Sequence, residues 1–309
     1  MSEAPLTVPV CYRHPSRETY IRCSRCDRPI CPDCMNDAAV GHQCPECVAE
    51  GRRTQRPVRT AFGGSAAGRH GYVTRALIGL NILAALIGVL LFGSAVLFDG
   101  GLFTGVTGWQ AFGGVSAGPW TVTPAGEVAP GDFAAYGTVY PGVYDGGFFR
   151  LLTAMFIHYG VLHLAMNMWV LWVLGRDLER ALGPVRFLGL YLLAGFGGNV
   201  AALLLAPQGP AAGASTSIFG LFAALFILLR RLGRDTSAVI PVLIINIVIT
   251  FTVPGISWQG HLGGLVTGAV VALVLAYAPK ERRTLLQAAG CGLVLAALVG
   301  LTLLGATAG

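Results

Sequence analysis

The sequence predicts an all-α membrane protein with a small zinc-binding domain ahead of its membrane region. Three observations lead there. The 309 residues are 54% hydrophobic and only 12% charged, where a soluble domain carries about a quarter charged residues; mean hydropathy is +0.65. Long apolar runs are separated by loops that are alternately arginine-rich and free of Lys and Arg. Seven of the eight cysteines fall between Cys11 and Cys47.

Four segments follow from the composition. Residues 1–50 are polar and Cys-rich, residues 51–74 read as a basic, Gly-rich flexible linker near the membrane surface, residues 75–280 form a membrane core, and residues 281–309 add a C-terminal span. The N-terminus is polar and the first long apolar run begins after residue 75, so no cleaved leader is expected. The 43 glycines suit closely packed membrane helices.

A spanning helix needs roughly 20 apolar residues. Seven spans are expected, near 76–97, 151–174, 186–206, 213–230, 237–253, 259–278 and 285–306. Between the first two lies Asp99–Phe149, rich in Gly and aromatics and without Lys or Arg. A loop this long is usually functional, and its Trp and Tyr suit a bilayer interface.

Arginines orient the spans, because cytoplasmic loops hold the positive charge. Arg52, Arg53, Arg56, Arg59, Arg69 and Arg75 precede span one; Arg176, Arg180 and Arg186 follow span two. Arg230, Arg231 and Arg234 follow span four, and Lys280, Arg282 and Arg283 follow span six. Seven spans with a cytoplasmic N-terminus and an extracytoplasmic C-terminus satisfy every loop at once. The net charge of +6 is thereby explained by topology, and no nucleic-acid partner is expected. Twenty arginines against one lysine point to a GC-rich bacterial genome and thus to a bacterial cell membrane.

Four pairs share one spacing: Cys11-x-x-His14, Cys23-x-x-Cys26, Cys31-x-x-Cys34 and Cys44-x-x-Cys47. That gap lets both side chains of a knuckle reach one tetrahedral ion, and eight ligands serve two zinc ions. In a reducing cytoplasm the spacing favours metal over disulfide. So short a segment lacks an apolar core, and zinc would supply most of its folding energy. The pairs resemble a B-box-type zinc finger over about residues 9–48. The resemblance implies one site of Cys11, His14, Cys31 and Cys34 and a second of Cys23, Cys26, Cys44 and Cys47, with His42 an alternative to Cys44. Both sites would be structural, and their use would be to bind a protein partner or position the chain.

Polar groups inside a bilayer are costly and therefore functional by default. No Asp or Glu is expected deep in a span and HExxH is absent, which disfavours acid relays, aspartyl proteases and zincins. His, Asn and Ser remain. His163 and Asn167 are i, i+4 on one face of span two. His158, five residues earlier, would lie about 140° around that helix. Ser215 near the start of span four and His261 near the start of span six fall at one depth. Gly260, Gly264 and Gly268 recur every four residues and would let the helices approach. His261 would then take the proton of Ser215, with His163 and Asn167 donating to an oxyanion. For Asn199, Ser217, Asn246 and Thr250, packing or interhelical hydrogen bonding is expected.

GASTSIFG at 213–220, the His163–Asn167 pair and GHLGGLVTG at 260–268 together resemble the rhomboid intramembrane serine proteases. Phe149-Arg150 and the long loop do so too. The resemblance covers about residues 76–280. It implies a six-helix core, to which the seventh span is an addition. It also implies Ser215 as nucleophile, His261 as base, His163 and Asn167 in the oxyanion hole, and His158 in support nearby. Thr216 stands where the family usually has Gly, Phe219 where Tyr is common, and Phe149 where Trp is usual. Phe219 can still stack under the base. The resemblance implies hydrolysis of transmembrane protein substrates in the bilayer without a catalytic cofactor. The alternative is a catalytically inactive rhomboid-like scaffold or chaperone; a transporter would show inverted repeats.

Overall fold

Inside a bilayer the backbone must bond to itself, so an apolar chain satisfies its N–H and C=O groups in helices. The computed structural model describes residues 8–55, 58–98, 105–206 and 209–308. Arg56 and Asp99, used above as loop markers, lie outside the described residues. The chain divides into two units, one ending at Val58 and one beginning at Arg59.

The first unit has little regular structure. Its elements are β1 (Asn36–Asp37), antiparallel to β2 (His42–Gln43), and the helix α1 (Pro45–Thr54). Cys44 caps α1 through its sulfur and Pro45 occupies the first turn, where a missing N–H costs nothing. Its buried apolar side chains are Ile30 and six cysteines, so the thiols stand where a core would be.

The second unit is mainly helical. Among the described residues its helices are α2 (Tyr72–Phe92), α3 (Ala95–Phe98), α4 (Gly108–Gly113), α5 (Arg150–Thr153) and α6 (Gly160–Leu182). There follow α7 (Pro184–Leu205), α8 (Ser215–Arg231), α9 (Val239–Thr252), α10 (Trp258–Tyr277) and α11 (Arg283–Ala308). By length and composition four stretches can cross a membrane: Tyr72–Phe92, Pro184–Leu205, Trp258–Tyr277 and Lys280–Thr307. A fifth is the pair Arg150–Phe156 and Gly160–Leu182, bent by 88°. The stretches expected as spans four and five are α8, of 17 residues, and α9, of 14. Leu90, Trp169 and Leu293 are among the large apolar side chains left exposed, as lipid contact requires.

The core lies among α6, α7, α8 and α10, where Leu171, Leu178, Phe187, Leu190, Leu221 and Val271 are fully buried. Lipid is as apolar as leucine, so tight packing rather than water exclusion holds such helices. Glycine makes it tight. A Cβ on Gly264 would lie 2.0 Å from the Thr216 carbonyl oxygen, and one on Gly268 2.2 Å from Gly220 Cα. Gly260 is looser, with Thr216 Cγ2 at 3.1 Å.

Four expectations need correction. The linker expected through residue 74 is structured from Arg59 on: Phe62 is buried, and Gly64 and Gly68 abut the Leu182 and Glu179 carbonyls so closely that a Cβ would not fit. The long loop is not without strands; β3 (Trp120–Val122) pairs antiparallel with β4 (Val128–Pro130) and β5 (Thr138–Tyr140), so the unit is not strictly all-α. Its Val, Thr and Tyr residues suit a pleated surface. Span two is broken before Gly160, whose φ is +86°, so His158 precedes α6 instead of lying 140° around it. Finally, α6 runs past the expected end near residue 174 to Leu182, and its last turn buries Glu179 completely.

Glu179 accepts from the N–H groups of Val73 and Thr74 at 3.0 and 2.9 Å and from Thr74 Oγ1 at 2.7 Å. Gly71 offers α2 no side-chain cap; Glu179 supplies the anion that a helix N-terminus favours.

Candidate active site and cysteine clusters

Three helices begin at one cavity. His163 is in the first turn of α6, Ser215 is the first residue of α8 and His261 is in the first turn of α10. Their free N–H groups and aligned dipoles make this a place that favours negative charge. The cavity, of about 500 Å³, is lined by Ser215, His261, His163 and Asn167 together with apolar and further polar side chains.

His261 Nε2 lies 2.8 Å from Ser215 Oγ. The imidazole is 9% exposed and stacks on Phe219, ring centroids 4.2 Å apart at 16°. On its other edge Nδ1 lies 2.8 Å from Thr250 Oγ1. Thr250 was expected to serve packing or interhelical hydrogen bonding; its bond runs from α9 to His261 on α10, a partner that its sequence neighbourhood does not signal.

Tyr159 N–H donates to His163 Nδ1 at 3.2 Å. In the neutral ring the hydrogen then sits on Nε2, the nitrogen that lies 3.1 Å from where Gly213 would carry a Cβ. Asn167 lines the same cavity and spends one amide hydrogen on the His163 carbonyl at 2.9 Å, which leaves the second for a ligand oxygen. His158 accepts from Ala214 N–H at 3.3 Å through Nε2, while its carbonyl accepts from Gln110 Nε2 at 2.7 Å. It thus ties the residue before Ser215 to the loop helix α4.

Arg150 is the single Lys or Arg between Arg75 and Arg176 and is completely buried. It donates to the carbonyls of Ala111, Gly114, Pro141 and Tyr140 at 2.6, 2.7, 2.7 and 3.3 Å, and to Ser116 Oγ at 3.4 Å. A planar guanidinium has donors enough for this fan, and it pins the long loop beside the site. Its isolation in the sequence was the signal for such a role. Asn199 bonds the Leu151 carbonyl, Ser217 contacts Met155 Sδ, and Asn246 bonds Val242 within its own helix.

In the first unit two groups gather. Cys11, His14, Cys31 and Cys34 form one, and Cys23, Cys26, Cys44 and Cys47 the other; within each, one ligand atom per residue lies within 4.8 Å of all the rest. His42 is in neither and approaches Asp37 at 3.3 Å. His14 presents Nδ1 to the sulfurs of Cys11, Cys31 and Cys34 at 3.9, 3.2 and 3.4 Å. Cys26 and Cys44 sulfurs are 3.8 Å apart, the separation expected of two thiolates about 2.3 Å from one tetrahedral zinc.

The thiols need a cation. Burial raises the Cys11 and Cys23 pKa values, but neighbouring N–H donors outweigh it and bring both to about 6. Burial and the adjoining thiolates push Cys34 up to about 11 and Cys47 to about 12. Three thiolates beside His14, or four together in the second group, cannot all ionise side by side without a counter-ion, and a divalent metal would supply it. The two groups could therefore each bind zinc.

Several apolar helices long enough to cross a membrane mark a multi-pass membrane protein, with a serine–histidine pair at a helix-lined cavity. A rhomboid domain model matches residues 145–278. "Putative rhomboid protease YdcA" of Bacillus subtilis (strain 168) is 35% identical over 148 residues, 46% of this chain and 74% of that protein. The chain belongs to the rhomboid family. "Rhomboid protease GluP" of the same organism is 40% identical over 139 residues, 42% of this chain. "Inactive rhomboid protein 1" of Drosophila melanogaster is 33% identical over 135 residues, 41% of this chain and 9% of that protein. The match spans 27% of GluP and 45% and 34% of the Arabidopsis thaliana RHOMBOID-like proteins 6 and 4, so the chain covers less than half the length of these relatives.

Proposed function

We propose that this protein is an intramembrane serine endopeptidase that cleaves transmembrane protein substrates through a Ser215–His261 dyad. The observation that carries the reading is the 2.8 Å contact between Ser215 Oγ and His261 Nε2. Ser215 Oγ attacks the scissile carbonyl carbon while its proton passes to His261 Nε2. His163 Nε2–H, the second amide hydrogen of Asn167 and the Ser215 N–H hold the oxyanion. His261 returns the proton to the leaving amine, the C–N bond breaks, and an acyl ester remains. Water attacks the ester, gives a proton to His261, and Ser215 is restored as the new carboxylate leaves. His158 acts by fixing the loop that carries Ala214 and Ser215.

On this reading the chain has seven spans, six in the core and one added, with the N-terminus cytoplasmic and the C-terminus outside a bacterial cell membrane. A substrate helix enters laterally and unwinds near its outer end, and small or helix-breaking residues at the cut site ease that step. The first unit is a B-box-type zinc finger with two structural zinc ions, and it binds a protein partner or positions the enzyme. The metal has no part in proteolysis.

A second reading, a catalytically inactive scaffold or chaperone, is favoured by the similarity to an inactive rhomboid protein. The test is cleavage of a transmembrane reporter in liposomes, with fluorophosphonate labelling alongside. Wild type should cleave and label, and Ser215→Ala and His261→Ala should do neither while keeping their zinc. A wild type that neither cleaves nor labels would establish the scaffold instead.

A further inference from the structure

A base can work only if the nitrogen facing the nucleophile is bare and the ring is held, and in serine hydrolases a third group usually does both. Among the described residues, no Asp, Glu, Lys or Arg lines the cavity around His261. Thr250, 5% exposed, does reach it. Its Oγ1 lies 2.8 Å from His261 Nδ1 and donates to the Asn246 carbonyl, one turn back in α9, at 2.7 Å.

A hydroxyl has one hydrogen. With that hydrogen committed to Asn246, Thr250 Oγ1 can meet Nδ1 only as an acceptor, so Nδ1 carries the imidazole proton. In the neutral ring the other nitrogen is then bare. That nitrogen is Nε2, the one 2.8 Å from Ser215 Oγ. The chain of donors runs in one direction, from Ser215 through His261 and Thr250 to the Asn246 carbonyl.

Resting on the dyad reading above, we propose that Thr250 is a positioning residue for the proteolysis. Its hydroxyl holds His261 as the Nδ1–H tautomer, while Phe219 fixes the ring face. When Nε2 takes the Ser215 proton, the Nδ1–H bond to Thr250 becomes charge-assisted and strengthens; when Nε2 releases it to the leaving amine, the starting tautomer returns. Simple helix packing does not account for the contact. Thr252 makes the same back-bond, to Val248 at 2.8 Å, on the exposed side of α9. Of the α9 residues only Val239 and Thr250 are buried, and the Thr250 hydroxyl bonds α9 to His261.

Two substitutions separate hydroxyl from shape. Thr250→Val keeps the shape and removes the acceptor; Thr250→Ser keeps the acceptor and removes a methyl group. Thr250→Val should lower kcat on the transmembrane reporter about tenfold with KM unchanged, and fluorophosphonate labelling should slow in step. Thr250→Ser should stay near wild type. The reverse order, Val active and Ser impaired, would mean packing alone and overturn the proposal. Imidazole ¹⁵N spectra of His261 read the tautomer without relying on turnover. Nδ1–H in wild type and a mixture in Thr250→Val support the proposal; Nε2–H in wild type overturns it. Loss of cleavage and labelling in wild type itself would sink the dyad, whereas these spectra would still decide the Thr250–His261 pair.

Discussion

His163 Nε2 and Ser215 Oγ close on a common point beside Gly213. A Cβ on that glycine would lie 3.1 Å from the nitrogen and 3.3 Å from the oxygen. On the proposed dyad reading this point is about 3 Å from both the nucleophile and an oxyanion donor, which is where a reacting carbonyl belongs. Gly213 keeps it open, and its φ of +136° is one that other residues rarely adopt.

Gly213→Ala should therefore obstruct catalysis from a residue that has no side chain of its own. Its methyl group would occupy the carbonyl's place and strain the loop before Ser215. Removal of a single oxyanion donor typically costs about 100-fold or more in rate, and a loss of that order is expected in kcat/KM for the reporter. Unchanged turnover by a folded Gly213→Ala protein would move the oxyanion elsewhere.

Arg150→Lys should destabilise the second unit although charge is conserved. Lysine brings one ammonium to a place where a planar fork serves four carbonyls and a hydroxyl, and the unserved buried acceptors cost about 1–3 kcal/mol each. A clearly lowered Tm in detergent is expected, with reporter cleavage falling as the loop loosens. A melting curve like that of wild type would show that the loop is held by other contacts.

Glu179→Gln should separate charge from hydrogen bonding at the start of α2. The amide oxygen can still accept from Val73 or Thr74, but the anion at the helix terminus is gone. A loss of about 1–2 kcal/mol is expected, and Glu179→Ala should lose more. Glu179 lies sixteen residues along α6 from His163, about 24 Å at the helical rise, so the reporter's cleavage position should not change. A shifted cut would show that the two ends of α6 are coupled.

Elemental analysis should find two zinc ions per chain. Cys23→Ala should leave about one, because Cys11, His14, Cys31 and Cys34 form a separate group, and protease sensitivity should rise in the first fifty residues. Fluorophosphonate labelling of Ser215 should persist, since no cysteine of these groups lies in the second unit. Loss of both ions at once would mean that the two groups fold as one.

Legibility in the sequence followed the range of the contact. His163 and Asn167 were readable because one helical turn separates them, and the cysteine knuckles because two residues do. Ser215 and His261 were readable through motif and common depth, although 46 residues separate them. Their union needed only the glycine row, and Gly264 and Gly268 do press α10 onto α8. The break before Gly160 was hidden, since His158, Tyr159 and Gly160 interrupt only briefly an apolar stretch from Leu151 to Leu174 that is long enough for one straight span. The strands β3–β5 were hidden because each is only three residues long.

The sequence by itself determined an apolar, helix-forming chain, a compact Cys/His segment, and the residue types that can make a nucleophile, a base and oxyanion donors. These depend on side-chain chemistry and local spacing, which any helix or knuckle preserves. Only the tertiary structure decided that Thr250 meets His261, that Arg150 fans across a loop up to 39 residues back, and that Glu179 caps a helix through Thr74, 105 residues earlier. Such pairings are fixed by how helices dock, and docking depends on the shapes of whole faces, which no short stretch of sequence contains.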